Sequence, residues 1–290
     1  MKYSSRFFLF APIGAFAVLM AAVGIHWWFM ANALGHRLEA MNGHEITPGV
    51  VLHYGTRSIK GFPFTLDTVF SNVSFDIATP QGPIDWHSEK FAMHRMTYGR
   101  DEAIFEAAGK QSLDWVKSDG TRHHLDFAVG ALHASAILSD KGLSRFDLDI
   151  VGFGSKAFVA QRLQFHIRRN VGDNFDLVIE GDGTQTGDKR DTVSFKLDGK
   201  MDHAARLDPM RAGQQIWFKG LDAWRVSGGV LHVTAATLSA CGNKFAGRGD
   251  LHLDTDHRIA GRIDLPGRCA ADMDGRPGRS GDFSQLGALY

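Results

Sequence analysis

The chain has 290 residues, 44% hydrophobic and 22% charged, and its 32 basic side chains balance 32 acidic ones to a formal net charge of zero. With no basic excess or stripe to attract phosphates, nucleic acid is excluded as an expected partner. An apolar content of this order, at ordinary charge density, excludes a disordered chain and leaves room for one large domain or two small ones.

From Phe7 to Ile25 there is no formal charge. About 20 apolar residues at 1.5 Å each cross a hydrocarbon core of roughly 30 Å, so the spacing predicts a spanning helix over 7–30. Lys2 and Arg6 precede the run and the next formal charge is Arg37. The positive-inside bias then keeps residues 1–6 cytoplasmic and sends the remainder across the inner membrane into the periplasm. Trp27 and Trp28 suit the far headgroup level, where an amphipathic ring is at home. The competing reading is a cleaved secretory signal, because Ala31-Asn32-Ala33 resembles a small-residue cleavage site. The length of the apolar run and the tryptophans before that site favour an uncleaved anchor.

Residues 31–48 read as a juxtamembrane helix and linker. Leu34, Leu38 and Met41 share a helical face, Asn42-Gly43 stops the helix, and Pro48 with Gly49 opens extended chain. Val50, Leu52 and Tyr54 then alternate as a first strand. Gly61-Phe62-Pro63-Phe64 follows, and Pro63 pushes Phe62 toward extended geometry with two large aromatics to bury.

The rest, to about residue 266, is dominated by period-two alternation. Val73, Phe75 and Ile77 oppose Asn72, Ser74 and Asp76; further strands are expected at 84–87, 91–98, 103–108 and 112–116. Asp119-Gly120 and Asp140-Lys141-Gly142 read as hairpin turns on either side of Leu125 to Val129 and Leu132 to Leu138. Phe146, Leu148 and Ile150, then Leu163, Phe165 and Ile167, then Phe175, Leu177 and Ile179, then Val193, Phe195 and Leu197 continue the pattern. One short helix is expected at 208–224, with Pro209 in its first turn and Met210, Trp217, Leu221 and Trp224 at helical spacing. Strands return at 230–238, 244–253 and 259–265, and 267–290 reads as a flexible tail rich in Gly, Asp and Arg. The fold class is therefore mainly β: an N-terminal transmembrane helix, then a large antiparallel, curved sheet at 49–266 that forms a groove, barrel or sandwich.

The combination of an N-terminal anchor, a short strand and Gly61-Phe62-Pro63-Phe64-Thr65-Leu66-Asp67 resembles the alphaproteobacterial family known as domain of unknown function 2125. Trp224-Arg225-Val226-Ser227-Gly228-Gly229 with its following strand, and Gly249 to Asp254, are similar to that family's C-terminal pattern. The resemblance implies an exported, membrane-tethered protein and supplies no catalytic residues. Glycine-phenylalanine-proline segments also resemble the first strands of AsmA-like envelope proteins, which raises the expectation of a lipid-facing groove.

Chemistry is hard to place. The 14 histidines include no His-Glu-x-x-His pair, and adjacent His123 and His124 face opposite sides of a strand, so strand-surface roles are expected and no metal or other cofactor is. Asp147 with Asp149, and Asp254 with Asp256, share strand faces but read as solvated surface. No serine lies in a Gly-x-Ser-x-Gly elbow. The protein is not expected to be an enzyme. Cys241 and Cys269 are the only cysteines. In an oxidising compartment they would pair, closing a loop of about 28 residues at a gain of about 3 kcal/mol; the alternative is two free thiols.

Many apolar strand faces and one expected helix leave cover in short supply. Leaving those faces wet costs about 25 cal/mol per Å². Either the sheet packs on itself, and the protein is an anchored interaction module that docks an envelope protein, or the sheet forms a groove that holds phospholipid chains. Phe165 and Phe175 are the residues expected to face lipid in the second case.

Overall fold

The computed structural model describes residues 5–265, apart from 81, 99–101, 118, 157, 187–191 and 241. The expected Cys241–Cys269 pair and the 267–290 tail lie outside the described residues. Helix α1 (Ser5–Met41) runs unbroken through Pro12 and past the tryptophans. Its stretch Phe10–Met41 is long and apolar enough to cross a membrane, and the most apolar window is not buried anywhere in the protein.

Among the described residues fourteen strands follow: β1 (His44–Thr47), β2 (Val50–His53), β3 (Thr56–Lys60), β4 (Thr65–Ile77), β5 (Ile84–Met96), β6 (Glu102–Val116), β7 (Arg122–Ser139), β8 (Gly142–Ser155), β9 (Phe158–Arg169), β10 (Phe175–Thr186), β11 (Val193–Met201), β12 (Leu231–Ala240), β13 (Asn243–Leu253) and β14 (Ile259–Asp264). They form one antiparallel sheet in almost unbroken chain order, with β2 and β3 sharing one edge of β4. The two outermost strands, β1 and β14, are not paired with each other, so the sheet is not closed. Short Gly and Asp turns between long alternating runs make neighbours in sequence neighbours in space, which is why the meander was legible.

Three pairs of expected short strands are single long ones: 84–87 with 91–98, 103–108 with 112–116, and 125–129 with 132–138. The reason is a crease. In β4 the buried positions are Leu66, Thr68 and Phe70 and then Val73; in β7 they are Val129 and then Ala134. An extra residue flips the parity at Asn72 and at Gly130. Register shifts or positive φ recur at Ser88–Lys90, Gly109, Gly152, Gly181–Thr184 and Val233–Ala236. A bulge bends its strand and strengthens the twist, so a line of them across the sheet curls it.

The expected 208–224 helix is present in pieces: a 3₁₀ turn at Ala204–Leu207, α2 (Asp208–Arg211) and α3 (Trp217–Val226). Gly213 at φ +67° leaves the helical region and breaks the run. This segment also measures the curl. The Arg211 carbonyl lies against Gly142 at the start of β8, whereas Ile216 lies against Gly49, which precedes β2. Strand registers put those two places at opposite ends of the strands and five strands apart, at least about 40 Å were the sheet flat, yet five residues reach at most about 18 Å. Only a strongly coiled sheet brings them together.

Candidate functional site

The inner face is built from rows of directly opposed residues. One row crosses from Phe91 through Ala107, Leu132, Ile150, Leu163 and Gly181 to Phe195. The next runs Met93, Phe105, Ala134, Leu148, Phe165, Ile179, Leu197. Period-two alternation puts each of these on the same side as its neighbour, so the strip is apolar without a break. Glycine is required at 181, because a Cβ there would stand 2.4 Å from the Phe195 ring.

Cover is uneven along this strip. At the first end, α1 supplies Leu38, which packs with Leu52, Phe70, Val73, Phe91 and Ala107, and Leu34 adds to the same cluster. At the other, Phe175 is buried with Ala204, Leu207 and Trp224 of the helical segment. Between them Leu148, Ile150, Leu163, Phe165, Ile179 and Phe195 are only half-buried. The result is an apolar groove, closed at its ends and bridged by the α2–α3 strap.

The two expected lipid-facing residues thus sit differently. Phe165 is in the half-buried middle, opposite Leu148 and Ile179. Phe175 is 4% exposed and belongs to the chain's own packing, with the Arg169 and Arg211 guanidinium groups 5.3 and 5.2 Å from its ring centroid. The strap is pinned by polar contacts that period-two reading has no means of finding. Trp217 Nε1–H donates to the Ala78 carbonyl at 2.8 Å, Arg211 Nε–H to the Leu143 carbonyl at 2.5 Å, and the buried Arg211 pairs with Asp208. Trp224 Nε1–H donates to the Asp202 carbonyl at 2.7 Å, closing the end of the groove.

Gly61, Phe62, Pro63 and Phe64 form the turn between β3 and β4, at the flank of α1. Gly61 has φ +99°, and a Cβ there would meet the Thr65 hydroxyl at 2.2 Å and its carbonyl at 2.8 Å, so only glycine fits. Trp27 Nε1–H donates to the Thr65 carbonyl at 2.8 Å and its ring meets Phe62 edge-on at 5.7 Å. Phe62 and Phe64, expected to be buried, are instead 55% and 56% exposed. They lie in a turn rather than on a strand face, where the edge-on contacts of Trp27 and Tyr98 leave more than half of each ring open.

The outer face is polar and carries most of the ionisable side chains. Asp67, His94, Glu106, His133, Asp149 and Arg162 form a ladder across β4 to β9 in which each carboxylate is followed by an imidazole or a guanidinium, with Asp67–His94 at 2.8 Å and Asp149–Arg162 at 2.8 Å. Arg162 holds Asp149 below the ordinary carboxylate value, against the opposing effect of burial. Burial raises Asp147, but hydrogen bonds from His166 and Arg145 outweigh it and keep that carboxyl low too. His124 is raised by its hydrogen bonds to Asp114 and Asp126, and His232 by Asp250 and then Asp202. His123 instead stacks on Trp115 at 5.2 Å. Elsewhere on this face Asp76, Asp85 and Asp114 are directly opposed on β4, β5 and β6, and burial followed by these two neighbours raises Asp85. Among the described residues no group of three or more His, Cys, Asp or Glu is arranged to hold a metal ion.

No curated protein and no solved structure matches this chain. A family model does, over residues 27–273, and its description is an uncharacterized protein conserved in bacteria. That range takes in the end of the apolar helix, the Gly61–Phe64 turn and every strand of the sheet. The chain belongs to the DUF2125 family.

Proposed function

We propose that this protein is a membrane-anchored, periplasmic groove protein that binds or shields lipid chains in maintenance of the cell envelope. The observation that carries this reading is the half-buried middle of the inner face. Six large apolar side chains from β8 to β11 are half-buried between two well-packed ends. A protein folding for its own core alone buries such a strip, since each exposed Å² costs about 25 cal/mol. Between β8 and β11 these apolar side chains form the floor, which suits an acyl chain, whose recognition needs area rather than hydrogen bonds. The α1 helix supports the reading by placing the groove beside a source of such chains. In this arrangement α1 spans the inner membrane with the sheet outside the cytoplasm.

The test uses the full chain in its native membrane, with a photo-crosslinking benzoylphenylalanine in place of Phe165. Phospholipid adducts found there by mass spectrometry support the groove. Adducts to protein alone favour the other reading, an interaction module. Phe16, 64% exposed on the apolar helix, is the position that reports lipid in any case. Adducts at 16 without any lipid adduct at 165 overturn the proposal.

A further inference from the structure

The exposed aromatics of the Gly61–Phe64 turn do not stand alone. Phe64 meets Tyr98 edge-on at 6.2 Å, across the strand ends where Thr65 of β4 pairs with Met96 of β5. The Thr97 amide donates to the Phe64 carbonyl at 3.0 Å and ties the two turns together. Phe62, Phe64, Met96 and Tyr98 are 55%, 56%, 57% and 62% exposed, four large side chains on one corner of the sheet.

What covers that corner is given by its height on α1. Phe62 lies against Gly24, whose Cβ, were one present, would stand 3.8 Å from the ring, and the Trp27 indole fixes the same turn through the Thr65 carbonyl. Counting from Phe7, Gly24 is about 26 Å along the helix, close to the roughly 30 Å of a hydrocarbon core. Trp27 follows at headgroup level, beside the exposed Trp28. A turn in contact with both residues is held at the boundary between acyl chains and headgroups. Phenylalanine, methionine and tyrosine are the side chains that such a boundary accepts, apolar in body and, for tyrosine, polar at the tip.

We propose that Phe62, Phe64, Met96 and Tyr98 form a second membrane contact, seated in the interface of the bilayer that α1 spans. This contact fixes the rotation of the sheet about α1, so that the β3–β4 and β5–β6 ends face the membrane at a set height. It rests on α1 being membrane-embedded and is independent of what fills the groove.

Hydroxyl-radical footprinting of the full chain in nanodiscs of phosphatidylethanolamine and phosphatidylglycerol, one chain per disc, tests it. Phe64, Met96 and Tyr98 are expected to oxidise at least fivefold more slowly than their exposure dictates. Leu138, 52% exposed near the end of β7, and Val171, at 94%, set the unprotected rate after correction for intrinsic reactivity. Protection at all three, in discs that hold no other protein, supports a lipid contact. Oxidation of Met96 and Tyr98 at the corrected Leu138 rate overturns it, whether or not lipid crosslinks at Phe165. Protection here without a lipid adduct at Phe165 keeps this contact and removes the groove reading.

Discussion

Asp85 faces a carboxylate on each neighbouring strand, Asp76 on one side and Asp114 on the other. Partial burial is the larger cost of ionising the middle one, and like charges directly opposed in a sheet add to it. Its carboxyl is therefore raised from the ordinary 3.8, which means that the folded protein holds this proton more tightly than the unfolded chain does. The stability that the protonated form contributes is complete below 3.8 and is lost as pH rises through the raised value. At neutral pH the ionised group is a net cost. Asp85→Asn removes that cost, and the variant is expected to unfold at a higher urea midpoint than the parent at pH 7. The advantage should shrink toward nothing as pH is lowered to about 3.8 and below. An equal or lower midpoint at pH 7 would show that the acidic row is not a source of strain. From the sequence, Asp76, Asp85 and Asp114 are three unremarkable polar positions on three runs. Register alone makes them neighbours.

At the scale of elements, the meander was readable and its crease was not. Alternation is a local property, so each half of β7 announced itself, Leu125 to Val129 and Leu132 to Leu138. The flip at Gly130 divides one strand into two runs, because a bulge interrupts period two just as a chain reversal does. The strap was half legible in the same way. Pro209 and the tryptophans marked a helical segment, but its partners lie 68 and 139 residues away at Leu143 and Ala78. Gly142 is where the strap meets the sheet: its φ is +88°, and a Cβ would stand 2.3 Å from the Arg211 carbonyl oxygen. Gly142→Ala therefore combines an unfavourable backbone angle with a clash against backbone that cannot rotate away. We expect a loss of about 2 kcal/mol or more in urea unfolding, with faster amide exchange across 208–226 than in β4 or β5. Unchanged exchange in the strap would show that it is held by α3 alone.

For the whole molecule, the strongest sequence signal is the uncharged run before Arg37, and it makes a topological prediction. A reporter active only outside the cytoplasm, fused after Asn42, is expected to be active, with the intact chain resisting carbonate extraction. Activity of a cytoplasmic reporter at that site would reverse the orientation, and a shortened soluble product would identify a cleaved signal. The sequence by itself determined the apolar helix, the family, the antiparallel meander and the existence of an apolar face, because all four follow from composition, short motifs and local periodicity. It did not decide what that face does. Phe165 and Phe175 have the same parity and the same pattern of neighbours, yet one lies in an open groove and the other beneath Trp224 and between two arginines. Cover is a long-range property: it depends on how far fourteen strands curl, and therefore on where a strap anchored at both sides of the curl comes to rest. The Phe62 and Phe64 rings were likewise fixed as aromatic by the sequence and as exposed by the fold, which sets their turn against Gly24 and Trp27 of α1.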